Sequence, residues 1–196
     1  MQLYTSLSDP NVSKLLLAGK VGIIPTDTTY GVVAAAADRS AASRLYALKS
    51  RISKPGTIIA NNIEQLVSLG VTRRYLKAVE NFWPNPISIE IPLDEHLDYL
   101  HQGTGRMAFR LPLPGDLTNL LSRCGPLLTT SANSPGKPVA TTMAEAQNYF
   151  GSSVDFYVDG GDLAGRQPST IIRIIDDAID VIRPGAIKVD EHGNIG

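Results

Sequence analysis

The sequence has one cysteine and three histidines, and this scarcity excludes several kinds of site. Cys124 has no possible partner within the chain, so there is no disulfide framework, which is typical of a reducing compartment. His96, His101 and His192 are scattered, and none forms an i, i+4 pair, so the sequence predicts no zinc site. Since no histidine lies near Cys124 in the sequence, its thiol is predicted to be buried packing and not a nucleophile.

Long hydrophobic runs and targeting segments are also missing. The most continuous run of small apolar residues is Gly31–Ala37, which is far too short to span a bilayer. The first residues, Met1–Thr5, have no basic region followed by an apolar stretch, so no signal peptide is predicted. We therefore expect a cytoplasmic protein that has no membrane partner.

The chain lacks a strong net charge, since its formal value at pH 7 is −1. A near-neutral balance argues against holding nucleic acid by bulk charge, and any tRNA contact is expected to be weak or indirect. The acids are unevenly spread, being absent from Tyr99–Gly115 and from Leu117–Ala144. The cations of these segments have no local counter-charge, and this pattern predicts a focused pocket for a small anion.

What is present fits one domain that covers residues 1–196, with enough apolar content for a sizeable core. Apolar strands such as Val21–Ile24 alternate with helices that begin at capping residues, such as the helix that Asp38 or Ser40 caps. The strands outnumber those of a simple βαβ alternation, so the fold class predicted is α/β with an open, twisted, mixed sheet. One long helix is predicted from Thr72 to Trp83, and Asp94–His101 is predicted to be a surface segment.

Several strands end in hydroxyl, amide or cationic side chains, and this pattern predicts the site. The turn Pro25–Gly31 and the cationic stretch Lys49–Pro55 are the first two, and four more follow along the chain. When such strand ends converge in an α/β protein they form an anion-binding cleft. The further segments are Arg106 with Arg110, Thr129–Asn133, Pro168–Thr170 and Arg183–Gly185.

Each of these segments also has a purely structural interpretation. A run of cations is usually a solvated face, and a turn rich in threonine often bonds only to its own backbone. Asp27 fits either a magnesium-linked or orienting carboxylate or a residue that caps the turn. Trp83 is predicted to be a core ring and not a platform on which a base stacks.

Seven segments in this order resemble the YrdC-like threonylcarbamoyl-AMP synthases, in their short, single-domain form. They are Pro25–Gly31, Lys49-x-Arg51-x-x-Lys54, Trp83-Pro84-x-Pro86, Arg110-x-Pro112, Thr130-Ser131-Ala132-Asn133-x-x-Gly136, Pro168–Thr170 and Arg183–Gly185. The resemblance spans Ser8 to Ala186 and implies an open, twisted α/β sheet with a deep basic cavity. It also implies synthesis of threonylcarbamoyl-adenylate and pyrophosphate from L-threonine, bicarbonate and ATP. The product would pass to a partner transferase complex for the t6A modification of tRNAs that read ANN codons.

The resemblance also implies a role for individual residues. Lys49, Arg51 and Lys54 would be the catalytic cations. The nucleotide would contact Arg51, Lys54, Ser131, Asn133 and Arg183. L-threonine would contact Thr28, Arg110, Thr129 and Ser169, while Thr26 and Tyr30 would form cavity wall. No protein metal site is implied, and Mg2+ is expected to arrive with the ATP substrate.

The sequence departs from the family pattern near the catalytic cations, and two other functions remain open. Ile52 stands where the family usually has proline, and Ile52–Ala60 is one residue shorter and lacks a histidine that longer relatives carry. One alternative is a non-catalytic module that binds nucleotide or RNA. The other is a carbamoyl-adenylate enzyme related to the hydrogenase-maturation carbamoyltransferases, which have zinc-finger-like cysteines that this chain lacks.

Overall fold

A computed structural model of the chain describes residues 2–50, 52–176 and 178–196. Within them, the strands are β1 (Gln2–Tyr4), β2 (Gly22–Pro25), β3 (Tyr30–Ala35), β4 (Thr57–Ile59), β5 (Ile87–Pro92), β6 (Arg106–Arg110), β7 (Leu127–Ser131), β8 (Phe156–Val158), β9 (Thr170–Ile175) and β10 (Ala178–Arg183). The α-helices are α1 (Pro10–Leu17), α2 (Arg39–Leu48), α3 (Ile63–Leu69), α4 (Arg73–Val79), α5 (Asp98–His101), α6 (Asp116–Cys124) and α7 (Met143–Phe150). Short 3-10 turns lie at Glu80–Phe82, Glu95–Leu97 and Gly151–Ser153.

All these strands belong to one open sheet in the part of the chain that the structure describes. Its order is β1-β8-β2-β3-β7-β4-β6-β5-β9-β10, so strands that are distant in sequence lie side by side. The pairs β1–β8, β2–β8, β4–β6 and β5–β9 are parallel, and the others are antiparallel. The predicted fold class, a mixed α/β sheet, is confirmed.

Both faces of the sheet are packed, because successive apolar side chains of a strand point to opposite sides. Ile58 belongs to the larger core, in which α2, α3, α4, α5 and α7 pack on the sheet. The next residue, Ile59, belongs to a smaller core on the other face, where α1 and α6 pack. Trp83 is 8% exposed within the larger core, and its ring nitrogen donates to the Ile87 carbonyl, so the prediction of a core ring is confirmed.

The helices begin where side-chain caps are available. Asp9, at the start of α1, accepts from the Asn11 N–H at 2.8 Å, and Asp38 accepts from the Ala41 N–H at 3.0 Å. Thr142 caps α7 in the same way through the Glu145 N–H. Each cap satisfies one of the N–H groups that a first helical turn leaves without a partner.

Two of the predicted elements were wrong in part. The helix predicted from Thr72 to Trp83 ends at Val79 and continues only as a 3-10 turn. The segment Asp94–His101 is not a surface segment, because Leu97, Leu100 and His101 are buried. Its acids lie on the outer side of a short helical stretch whose inner side faces the larger core. The acidic composition favoured a surface segment, although the leucines have the spacing of an amphipathic helix.

The sequence did not predict β1, which pairs in parallel with β8 at one edge of the sheet. In the described part of the chain, no helix combines the length and the apolar character needed to cross a membrane.

Candidate active site

A row of small and polar side chains crosses the sheet on the face of the smaller core. Val33 pairs with Thr129, Thr129 with Thr57, Thr57 with Ala108, and Ala108 with Glu90. Residues that pair across neighbouring strands project to the same side, so these side chains lie next to one another. Val33 is packed in the smaller core, and the row leads from it into an open cleft.

The cleft encloses a cavity of about 140 Å³. Polar strand ends surround it, as the sequence pattern predicts for an anion site. Its walls are formed by Thr26, Thr28, Thr29, Tyr30, Gly31, Pro55, Gly56, Thr57, Glu90, Ala108, Arg110, Thr129, Thr130, Ser131, Pro168, Ser169, Ile171 and Arg183.

The threonine-rich turn before β3 forms one wall. The Thr26 hydroxyl donates to the Thr29 carbonyl at 2.6 Å, accepts from the Thr28 N–H, and lies 3.1 Å from the Thr28 hydroxyl. The local backbone bonding foreseen for this turn therefore exists, and Thr26 makes it. Thr28 still lines the cavity, so the turn is both a self-supporting structure and a cavity wall.

Tyr30 fixes the far end of this wall to a distant turn. Its hydroxyl donates to the Gly161 carbonyl at 2.8 Å and accepts from the Gly160 N–H at 2.8 Å. Burial, the largest influence, raises the pKa of the Tyr30 phenol, and the neighbouring Asp159 carboxylate acts in the same direction, while the Gly160 N–H opposes them. Tyr30 therefore stays neutral at physiological pH and serves as a fixed wall of the cleft.

Arg110 provides a buried cation at the floor of the cleft. Its side chain is 4% exposed, and its Nη2 donates to Asp27 Oδ1 at 2.8 Å. The segment Tyr99–Gly115 contains no acid, so Arg110 has no local counter-charge, but folding brings Asp27 to it from 83 residues away. Of the two interpretations of Asp27, the contact favours an orienting carboxylate, since the acid holds the guanidinium in one direction.

Ser88 and Ser169 join Arg110 to Arg183 across the cleft. Arg110 Nη1 donates to the Ser88 hydroxyl at 3.3 Å, and that hydroxyl donates to Ser169 Oγ at 2.9 Å. Arg183 Nη2 donates to the Ser169 carbonyl at 2.6 Å and to Ser169 Oγ at 3.1 Å. The two arginines therefore face one cavity and are held by a continuous set of hydrogen bonds.

The turn that follows Arg183 at the end of β10 and the segment that carries Ser169 before β9 fit closely together. A Cβ at Gly185 would lie 2.3 Å from the Pro168 carbonyl oxygen and 2.5 Å from the Thr170 nitrogen, so only glycine fits. The Ala186 N–H donates to the same Pro168 carbonyl at 2.8 Å. This contact fixes the position of Arg183 relative to Ser169.

Lys49 supports the turn after β7 from behind the cavity wall. It is the C-terminal cap residue of α2 and is 4% exposed. Its Nζ donates to the Ser131 carbonyl and to Asn133 Oδ1, both at 2.8 Å, and also to the Asn133 carbonyl. Ser131 in turn donates to Asn133 Oδ1 at 2.8 Å, so the ammonium and the hydroxyl fix the turn together.

The structure brings most of the predicted residues to one cavity. Among the described residues, its walls include Thr26, Thr28, Tyr30, Arg110, Thr129, Ser131, Ser169 and Arg183. Lys49 and Asn133 stand behind Ser131, and Lys54 is exposed beyond Pro55, with its N–H donating to Gln102 Oε1 at 3.1 Å. Arg51, predicted to contact the nucleotide, lies outside the described residues.

Sequence reasoning missed two polar residues of β5. Glu90 lines the cavity, with Arg173 Nε donating to it at 2.8 Å, and Ser88 lies beneath Ser169. The alternation Ile87-Ser88-Ile89-Glu90-Ile91 contained the information, because its isoleucines are buried in the larger core and its polar residues must face the other side.

Cys124 is excluded as a nucleophile, as the sequence predicted. It is 6% exposed within the smaller core, and burial raises the pKa of its thiol to about 12, against a smaller opposing influence of Arg123. We expect no reaction with a thiol reagent at pH 8 in the folded protein and full reaction in denaturant, because only the thiolate reacts. Time-resolved absorbance with a chromogenic disulfide reagent measures this, and rapid labelling of the native protein would contradict it.

Searches among known proteins place these features in a family. The Sua5/yciO/yrdC family model, described as telomere recombination, matches residues 14–185. The threonylcarbamoyl-AMP synthase of Stutzerimonas stutzeri is 32% identical over 180 residues, which cover 88% of this chain and 95% of that protein.

Two solved structures share the fold. The crystal structure of P. abyssi Sua5 complexed with L-threonine has a TM-score of 0.83 at 24% identity, over 95% of this chain and 58% of that one. The present chain thus spans less than two thirds of the P. abyssi protein. E. coli YciO has a TM-score of 0.78 at 21% identity, over 94% of this chain and 96% of that chain.

Proposed function

This chain belongs to the Sua5/YciO/YrdC family, and we propose that it is a threonylcarbamoyl-AMP synthase. The observation that carries the proposal is the cavity in which Arg110 and Arg183 face a ring of hydroxyls from four strand ends. Such a cleft suits a reaction that brings several anions together, because its fixed cations and donors can hold them in line.

The reaction has two bond-forming steps. The neutral amine of L-threonine attacks the carbon of bicarbonate, a C–N bond forms, and water leaves, which gives a carbamate. An oxygen of that carbamate then attacks the α-phosphorus of ATP, and the bond to pyrophosphate breaks. Because the second nucleophile is already an anion, most of the rate can come from alignment and charge stabilisation.

The walls of the cleft divide between the two substrates in this proposal. Arg110, Ser169, Thr28 and Thr129 hold L-threonine, with the buried guanidinium of Arg110 as the partner of its carboxylate. Ser131, Asn133 and Arg183 hold the nucleotide, and Lys54 and Arg51 supply further positive charge for its phosphates. Lys49 acts through the Ser131–Asn133 turn, which its ammonium fixes.

Mg2+ is expected to enter with the triphosphate and not to have a site of its own in the protein. The described residues contain no cluster of three or more His, Cys, Asp or Glu that could hold a metal. Two acids near the cleft, Asp27 and Glu90, are paired with Arg110 and Arg173. Magnesium in nucleotide sites is commonly bound by phosphate oxygens and water, so this arrangement fits ATP that brings its own metal.

The product is a reactive mixed anhydride, so it needs a receiving enzyme. We propose that it passes to the t6A transferase complex, which transfers the threonylcarbamoyl group to tRNA. The modest charge of the chain favours weak or indirect contact with the tRNA itself.

The function is tested by the substrate dependence of pyrophosphate release. We expect release only when ATP, bicarbonate and L-threonine are all present, together with a product of the mass of threonylcarbamoyl-AMP, because the carbamate is the nucleophile. Coupled phosphate detection and mass spectrometry measure the two products. Equal release without L-threonine would favour a carbamoyl-adenylate enzyme, and nucleotide binding without any release would favour a binding module.

A further inference from the structure

We propose that Ser88, a residue outside every recognised motif of the chain, is a positioning residue that makes the Ser169 hydroxyl an obligatory hydrogen-bond donor. The cleft would thereby accept a carboxylate at this point and reject a group that donates hydrogen bonds. The inference rests on the proposed function, because it concerns how L-threonine is selected and oriented.

The direction of the hydrogen bonds follows from the chemistry of their ends. An arginine guanidinium has only donors, so Arg110 Nη1 must donate to Ser88 Oγ across their 3.3 Å contact. Ser88 has a single hydroxyl hydrogen, and it is directed to Ser169 Oγ at 2.9 Å. The cation at one end therefore sets the orientation of the first hydroxyl.

The second hydroxyl receives hydrogen bonds from both sides. Besides the bond from Ser88, Ser169 Oγ accepts from Arg183 Nη2 at 3.1 Å, and arginine again can only donate. A hydroxyl oxygen has two acceptor lone pairs, so both are occupied. The hydrogen of Ser169 is thus left to donate, and it has no acceptor among the described residues.

The position of this hydrogen gives it a function. Ser169 is 4% exposed and lines the cavity beside Arg110, whereas Ser88 is fully buried beneath it. A buried donor without an acceptor is costly, and a ligand oxygen that accepts its hydrogen removes that cost. A carboxylate offers only acceptors. The N–H groups of an ammonium or an amide would instead point at the Ser169 hydroxyl hydrogen, so that two donors would face each other.

The proposal predicts that Ser88 controls the preference for a carboxylate over a carboxamide. Isothermal titration with L-threonine and L-threoninamide should show that the wild-type protein prefers the acid by about tenfold or more. Ser88→Ala should reduce this preference several-fold, because the Ser169 hydroxyl could then rotate and accept, while the charge of Arg110 would maintain the remainder. Ser88→Thr keeps the hydroxyl and should keep the preference. ATP affinity should change less than about twofold in Ser88→Ala, since the relay acts on the amino-acid side.

Controls separate the relay from a general effect on folding. Ser13→Ala removes another buried serine hydroxyl, in α1, and should bind both ligands as the wild type does. Ser169→Ala should lose the same preference as Ser88→Ala, and the double variant should lose no more, since the two residues act as one unit. If Ser88→Ala does not fold, the preference is measured in Ser169→Ala instead.

The outcomes decide between the two levels of the proposal. Wild-type preference for the acid that persists in Ser88→Ala, or in Ser169→Ala where Ser88→Ala does not fold, would overturn the relay alone. Failure of the wild-type protein to bind L-threonine, in the presence of ATP, would overturn the relay and the proposed function together.

Discussion

Replacing Arg110 with alanine is expected to lower threonine-dependent pyrophosphate release by about a hundredfold or more. Arg110 is 3% exposed at the floor of the cleft and is paired with Asp27. The alanine variant loses the charge-assisted bonds to the substrate carboxylate, which contribute roughly 1.5–3 kcal/mol. It also leaves the Asp27 carboxylate without its cation, so that a negative charge would repel the incoming substrate.

Further variants distinguish binding from stability. Arg110→Lys keeps the charge but loses the planar fork, so its activity should lie between those of alanine and wild type. Adding Asp27→Ala to Arg110→Ala should recover thermal stability, because it removes the orphaned carboxylate, but it should not recover activity. Steady-state kinetics and thermal melts measure both properties.

The matched control is Arg44→Ala. Arg44 forms an ion pair with Asp155 outside the cleft and is half-exposed, so its replacement should leave the kinetics unchanged. Wild-type kinetics in Arg110→Ala would show that the anion site has been placed wrongly.

The second large effect is expected from Lys49→Met, which keeps the length of the side chain and removes its charge. The variant leaves the Ser131 and Asn133 carbonyls without the ammonium that binds them. The hydrogen bonds from the charged ammonium are lost, and the two carbonyls are left without a donor. This loss should lower the free energy of unfolding by about 2–4 kcal/mol. The Ser131–Asn133 turn would also lose its fixed position, so affinity for ATP should fall about tenfold to a hundredfold.

The test of Lys49 combines urea unfolding with titration of ATP. Lys49→Arg should recover part of the stability, since a guanidinium can reach some of the same acceptors, while Lys14→Met changes an exposed lysine of α1 and should alter neither property. If Lys49→Met lost catalytic rate with unchanged ATP affinity and stability, Lys49 would act on the reacting atoms themselves and not through the turn.

Local patterns in the sequence were sufficient for the elements and for the kinds of side chain at the site. Asp9, Asp38 and Thr142 begin their helices because a cap needs only the next few residues. Thr28 and Ser131 reach the cavity because each follows or ends an apolar strand, and clefts form beyond the ends of strands in an open α/β sheet.

Local patterns did not predict which residues are buried or face the cleft where the composition of a segment outweighed the spacing of its side chains. The acids between Asp94 and His101 favoured a surface segment, although Leu97 and Leu100 lie three residues apart and share the buried side of a helical stretch. In β5 the isoleucines face the larger core, and the period of two places Ser88 on the cleft face, although Ser88 belongs to none of the sequence motifs.

The sequence by itself thus determined which residues carry cations and hydroxyls, and that they stand at the ends of strands. Only the tertiary structure decided their partners. Arg110 and Asp27 are 83 residues apart, Ser88 and Ser169 are 81 apart, and Lys49 and Ser131 are 82 apart. The strand order β2-β3-β7-β4-β6-β5-β9 and the packing of α2 on the sheet bring these residues together, and such an arrangement depends on the packing of the whole sheet. A cation that lacks a counter-charge in its own segment therefore acquires one, and two ordinary serines become a directed relay, because folding sets distant strands side by side.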